Sequence, residues 1–422
     1  MKKSSFYRRE ILNNGLKVVM EKIPYVRSVS LGIWIEAGSR DEDKNESGFS
    51  HFIEHLLFKG TKKRDARAIA SELETVGGRL DAFTGREYTC LSARVLDTHL
   101  DLALELISDL YHNSVFPEDE MERERRVVLE EIKMSEDIPE DFIFDIFNET
   151  IYPDNSLGRP ILGYRNIIQK LSRDEIYDFY KKYYHPQKTI ISLCGNFSEK
   201  TFIEKTKKYF KNHGSKINFP APVTPEYHPG VKVHKKKLNQ VHICLGADGL
   251  GFNHKDRAAL QVLNVLLGGS MSSRLFQEIR EKRGLAYSIY SCQSSHRDSG
   301  TVMIYAGTAE DKVNEVIDLV LKELDSVKKG KVTQDEMNLS REQLKGSIVL
   351  GAESTENRML RLATSEFYMG KYISLEESIA EIDRVNKDDV IRLASRIFAP
   401  SKLNLVCLGP ISKKEISFLG GT

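Results

Sequence analysis

His51, Glu54 and His55 sit in the stretch Gly48-Phe49-Ser50-His51-Phe52-Ile53-Glu54-His55-Leu56-Leu57-Phe58, and their types and spacing could do chemistry. Read as a helix, the two histidines are four apart and project from one face, one turn above the other. Two imidazoles at this spacing can grip one transition metal, and the adjacent carboxylate can take a proton from a water that the metal polarises. The order HxxEH is the HExxH of many zinc hydrolases written backwards. Phe52, Ile53, Leu56 and Leu57 point elsewhere and would sink such a helix into a core. Alone, the pattern also describes a surface helix that happens to carry two histidines and a glutamate.

A third ligand has to come from further along. Pro117 to Met134 reads as a helix, with Pro117 in its first turn and early acids at the positive end of its dipole. Solvent explains most of its charges. Glu124 and Glu131, however, are seven apart and share a face next to Val127, Val128 and Ile132, which puts both at a core boundary. A His₂Glu site needs one such carboxylate and leaves a fourth position open.

The elements that must position these groups follow from periodicity. Gly15 to Met20 and Ser28 to Ile35 alternate as strands, with Pro24 marking the turn between them. Ser47 is the expected N-cap of the histidine helix and Gly60 its stop. Arg67 to Val76 is helical and closed by Gly77-Gly78; Leu80 to Val95 is a strand region broken near Gly85; Asp101 to Leu110 is helical again. The order suggests an α+β layer rather than a parallel doubly wound sheet.

With Glu131 placed 76 positions after His55 (131 − 55 = 76), Gly-Phe-Ser-His-Phe-Ile-Glu-His resembles the pitrilysin/insulinase family of zinc metallopeptidases. The nearest match is its short-chain branch, which includes mitochondrial processing peptidase and bacterial relatives. Phe58-Lys59-Gly60-Thr61, Gly77 to Thr84 and Leu157 to Gly163 carry the likeness further, and it spans essentially the whole chain. The resemblance implies that His51, His55 and Glu131 bind one Zn²⁺ per chain, that Glu54 is the general base, and that Glu124 orients the site. It also implies that Asp81-Ala82-Phe83-Thr84 is an edge strand to which a substrate backbone adds. Asp81 departs from the asparagine common there, and a carboxylate cannot donate the hydrogen bond an amide can.

The chain then repeats. Asp119-Glu120-Met121 recurs as Asp335-Glu336-Met337 (335 − 119 = 216), and Leu193-Cys194-Gly195 aligns with Cys407-Leu408-Gly409 (407 − 193 = 214). Two structurally similar α/β-layer domains follow as the expectation: 1–212 with the metal site, a proline-rich linker over 213–229, and 230–422 without metal. At the place of the histidine helix the second half has an apolar helix, Ala258 to Leu267. Arg280 and Tyr287, seven apart, keep the family's spacing for a pair that binds and polarises the substrate carbonyl. Without the family they read as a basic helix end and a core tyrosine.

Composition excludes several classes. With 422 residues, 29% of them charged and a net charge of +1, there is no electrostatic footprint for nucleic acid. No apolar run is long enough to span a membrane, and no apolar region follows the basic start as in a secretory signal. The five cysteines are scattered and fit a reducing, cytoplasmic setting. The expectation is therefore an α+β zinc endopeptidase acting on unfolded peptides, with a homodimer implied by the family. The alternatives are a non-catalytic, presequence-binding subunit and a metal hydrolase acting on other bonds.

Overall fold

The computed structural model describes residues 6–211, 217–219 and 221–418. Of the expected linker, 213–216 and Pro220 lie outside the described residues. The first half of the chain runs β1 (Phe6–Ile11), β2 (Lys17–Lys22), β3 (Ser28–Ile35), α1 (Phe49–Leu57), α2 (Ala66–Glu74), β4 (Arg79–Thr84), β5 (Thr89–Leu96), α3 (Leu100–Asn113), α4 (Glu118–Asp137), α5 (Pro139–Ile151), α6 (Arg165–Ile168), α7 (Arg173–Tyr183), β6 (Thr189–Gly195) and α8 (Glu199–Tyr209). The second half runs β7 (Gly230–Lys235), β8 (Val241–Asp248), α9 (Arg257–Gly268), a π-helical stretch (Phe276–Glu281), β9 (Ala286–Ser295), β10 (Gly300–Thr308), α10 (Val313–Lys328), α11 (Gln334–Gly351), α12 (Thr355–Met369), α13 (Leu375–Arg384), α14 (Lys387–Ile397) and β11 (Asn404–Gly409).

Both sheets are mixed. The first has the order β1-β2-β6-β3-β5-β4 and the second β7-β11-β8-β10-β9. Only β2/β6 and β7/β11 pair in parallel; the other neighbours are antiparallel. Without β1, which periodicity did not reveal, the two orders coincide strand for strand. The fold is α+β and internally duplicated.

The chain forms two compact units, and neither is a contiguous half. The first comprises the residues up to Met134, Arg159–Pro222 and Gly351–Tyr372; the second comprises Ser135–Gly158, Val223–Leu350 and the residues from Ile373. Each sheet thus takes one covering helix from the other half of the sequence. On the first sheet α12 supplies Met359, Leu362, Ala363 and Phe367, which pack with Val19, Trp34, Ile190 and Cys194. On the second, α5 supplies Ile143, Ile146, Phe147 and Ile151 against Cys244, Met303, Val406 and Leu408. Contiguous domains over 1–212 and 230–422 do not describe these units. Periodicity shows that a helix has an apolar face, but not which sheet that face will cover.

A glycine in the central strand admits each covering helix. A Cβ on Gly32 of β3 would collide with the Met359 sulfur, and one on Gly246 of β8 with the Phe147 ring. The two glycines stand at the repeat offset (246 − 32 = 214). The other face of the first sheet packs on α1 and α3, where Phe52, Ile53, Leu56, Leu104 and Ile107 join Val29, Leu31, Ile33 and Ile35. This buries β3 on both sides and seats α1 firmly against the sheet.

Candidate metal centre

The start of α1 is not capped by Ser47, whose buried hydroxyl has no hydrogen-bond partner. The helix begins instead at Gly48, in the left-handed region (φ 96°), and a Cβ there would meet Leu162 and Gly163. Glu42 does the capping, accepting from Gly48 N at 2.8 Å and from Ser50 N at 2.7 Å. A carboxylate suits this positive helix end. Burial pushes Glu42 up to about 7, and the two backbone N–H groups pull against that rise.

The polar face of α1 meets α4. His51 Nε2 lies 3.7 Å from Glu131 Oε2, and His55 Nε2 lies 3.3 Å from the same oxygen. The imidazole rings are 4.8 Å apart and nearly perpendicular, with 70° between their planes. Among the described residues this is the one cluster of three side chains able to share a metal ion. Donors on a tetrahedral ion with bonds of about 2.0–2.2 Å lie roughly 3.3–3.6 Å apart; the His55–Glu131 distance falls in that range and the His51–Glu131 distance just above it.

Protonation fits as well. Burial, helped by the neighbouring His55, lowers His51 to about 3, so its imidazole is neutral and keeps a lone pair for a metal. His55 Nδ1 sits 2.9 Å from Glu124 Oε2, and Lys59 Nζ is 2.8 Å from Glu124 Oε1. With its proton on Nδ1 and given to Glu124, His55 is left with Nε2 as the coordinating atom. Glu54, Glu124 and Glu131 bring three carboxyl groups to this end of α1, and the Lys59 ammonium pairs with Glu124. Glu130 points elsewhere: it is exposed and lies 3.5 Å from Lys133. Val127, expected at the core boundary, is exposed, whereas Val128 and Ile132 are buried.

Glu54 does not reach the ligand cluster. Its Oε2 accepts from Thr84 Oγ1 at 2.6 Å, and burial raises its pKa, the Thr84 bond opposing the rise. A half-buried carboxylate of this kind, one residue from a ligand, is placed to exchange protons with a water at the cluster.

Residues 17–165 match the insulinase family, peptidase family M16, and residues 170–344 match the peptidase M16 inactive domain. A Bacillus subtilis (strain 168) protein named as an uncharacterized zinc protease is 41% identical over 391 residues, covering 93% of this chain and 95% of that protein. A Streptomyces coelicolor protein of the same description is 41% identical over 98% of this chain and 91% of its own length. The chain belongs to peptidase family M16. Among solved structures, a protease from Helicobacter pylori superimposes with a TM-score of 0.88 at 26% identity, covering 96% of this chain and all of the other. The peptidase M16 inactive domain from Pseudomonas fluorescens shares the fold, with a TM-score of 0.89 at 22% identity over 96% of this chain and 98% of its own.

All the candidate ligands of this M16 chain fall in the insulinase-matching stretch, and Arg280 and Tyr287 fall in the stretch matching the inactive domain. In the second unit the Arg280 guanidinium stands 5.1 Å from the Tyr287 ring centre and 4.7 Å from that of Phe276. Tyr287 is 80% exposed, which removes the core-tyrosine reading. The stretch Asp81-Ala82-Phe83-Thr84 belongs to β4, one of the two edge strands of its sheet. Its residues divide by face. Ala82 packs on the α1 side, while Phe83 stacks edge-on against Trp34 at 5.6 Å. Asp81 is exposed enough to pair with Arg79. Lys59 and Glu42 were missed as site residues: Glu42 acts across irregular chain, where no periodic signal exists, whereas Lys59 directly follows the C-cap of α1, four residues after His55, and that helical spacing was the signal available for it.

Proposed function

We propose that this chain is a zinc-dependent endopeptidase that cleaves unfolded peptides or extended segments. One observation carries the reading: the imidazoles of His51 and His55 and the carboxylate of Glu131 converge, with a separate carboxylate, Glu54, next to His55 on the same helix as the two histidines. Zinc, when bound by His51, His55 and Glu131, supplies a Lewis acid that acidifies water and polarises the scissile carbonyl. Glu54 takes the proton of the attacking water and delivers it to the leaving amine. Glu124 fixes the ring of His55, and Lys59 occupies the other oxygen of Glu124. The free edge of β4 offers backbone groups to an extended substrate, so recognition depends mainly on its main chain.

Arg280 and Tyr287 are the carbonyl-binding donors in this reading, supplied to each site by the other subunit of a homodimer. Co-refolding Arg280→Ala with Glu54→Gln should then recover part of the activity that each lacks, since one mixed site would hold both intact groups. A dead mixture beside a recovered wild-type control would place the pair elsewhere. The five cysteines, all free thiols, suit a cytoplasmic location.

The deciding experiment is hydrolysis of a quenched fluorescent, unstructured peptide. Turnover should vanish with a chelator and return with zinc. The non-catalytic alternative gives no turnover under any condition, and a hydrolase of other bonds leaves the peptide intact.

A further inference from the structure

We infer that Thr84 is a positioning residue for Glu54, so that the edge strand offered to substrate also sets the direction of the base. The inference rests on the peptidase reading above. Among the described residues, Thr84 Oγ1 is the one hydrogen-bond donor to the Glu54 carboxylate, at 2.6 Å. Its other neighbour, Ser50 O, is 3.4 Å away. A threonine hydroxyl has a single proton, and the short, charge-assisted bond claims it. A substrate could therefore use only the oxygen's lone pairs.

The strand dictates where that hydroxyl points. Along β4 side chains alternate, so Leu80 and Ala82 pack into the core beneath α1 and Thr84 shares their face. Thr84 pairs with Thr89 across the hairpin, and Gly85 N donates to Tyr88 O at 2.7 Å just beyond it. Thr89 is itself tied to Ala37 O at 3.0 Å. Because a β-branched side chain is stiff at χ1, a fixed backbone means a fixed hydroxyl. Glu54 has no such stiffness. With one oxygen held by Thr84, its rotation stops and the second oxygen is left for the proton transfer. Sequence placed Thr84 with the substrate-binding residues; the geometry gives its side chain to the base and leaves only its backbone for strand addition.

The test uses the full-length, zinc-loaded protein and the same quenched peptide. Thr84→Val removes the hydroxyl at nearly constant shape, and Thr84→Ser keeps it. Thr84→Val should lower kcat about 10- to 100-fold, since misplacing a base forfeits part of its contribution. KM, the zinc dissociation constant by chelator competition, and the melting temperature should stay near wild type. Thr84→Ser should recover most of kcat. If Thr84→Val folds poorly, Thr84→Ala is compared with Thr84→Ser in the same way. A rise in KM at constant kcat would make Thr84 a substrate contact and overturn the inference. So would equal losses in the valine and serine variants, or a loss of zinc affinity with kcat unchanged. A wild-type protein that cleaves no peptide with zinc overturns the peptidase reading, and this inference with it; that outcome shows in the wild type alone, not in a difference between variants.

Discussion

In the first unit the helix after the central strand carries His51, Glu54 and His55; in the second, the helix after β8 carries Leu260, Val262, Leu263, Leu266 and Leu267, all buried. On α4, Glu124 and Glu131 face the histidines, and at the repeat offset of 216 α11 carries Ser340 and Ser347. Apart from β1, the strand order is the same in both units, as are the covering helix and the glycine beneath it. The second unit has a cavity of about 170 Å³ lined by Val265, Leu266, Arg274, Glu336 and Ser340, where Arg274 and Glu336 pair with each other at 2.7 Å. One scaffold therefore closes its core with or without a ligand set. Metal binding is an addition to this fold and not its foundation, unlike a small zinc finger, which unfolds without its ion.

The largest expected effect breaks the chemistry of the first unit and leaves its scaffold alone. Glu54→Gln should reduce turnover by roughly 10²- to 10⁴-fold, the usual contribution of a general base, with zinc still bound near stoichiometry by metal analysis. Removing zinc with a chelator should end turnover too, while circular dichroism stays that of the folded protein. Unfolding on chelation would mean that the two units do not share a self-sufficient scaffold.

Next in size is the ligand register on α4. Glu131→Gln should weaken zinc affinity at least about tenfold, because it removes the carboxylate that both Nε2 atoms approach. Glu130→Gln should change it little, since adjacent helical residues point about 100° apart and Glu130 faces Lys133. The reverse order in a zinc titration would rotate α4 away from the geometry described.

Much of this was legible from residue types and spacing. The HxxEH face of α1, the seven-residue spacing on α4 and the repeat offsets of 214–216 all describe periodic elements, and they are found where periodicity put them. What could not be read depends on irregular chain or on long-range choice. Glu42 reaches forward from a loop to cap α1, which no N-cap rule for Ser47 anticipates. The exchange of α5 and α12 is a question of partner, and an apolar stripe is the same whichever sheet it covers. The Thr84 bond depends on which face of β4 meets α1, and that is set by strand register.

The helix exchange gives a matched pair of stability tests. Gly32→Ala and Gly246→Ala each force a methyl group into a covering helix, against Met359 and Phe147 respectively. Overpacking of this kind costs about 1–3 kcal/mol, so both variants should melt earlier by similar amounts. Gly246→Ala should do so with unchanged zinc affinity. A large loss from one glycine and none from the other would show that the two covering helices are seated differently.

The smallest effect concerns the outer strands of the two sheets. β9 begins with Ala286 and the exposed Tyr287, which is uncharged, whereas β4 presents Arg79 and Asp81 as an ion pair. The side chains of that pair are 76% and 47% exposed, so water screens their charges strongly. Exposed pairs are worth about 0–1 kcal/mol, and 1 kcal/mol corresponds to roughly a fivefold change in rate or affinity. Asp81→Asn should therefore lower kcat/KM for a peptide with basic residues near the scissile bond by no more than about fivefold relative to a neutral peptide. High salt should erase the difference, because at about 1 M the screening length falls to about 3 Å. A change of tenfold or more that survives high salt would mean that Asp81 holds a substrate side chain in a desolvated contact. The β4 edge would then select by side chain as well as by backbone.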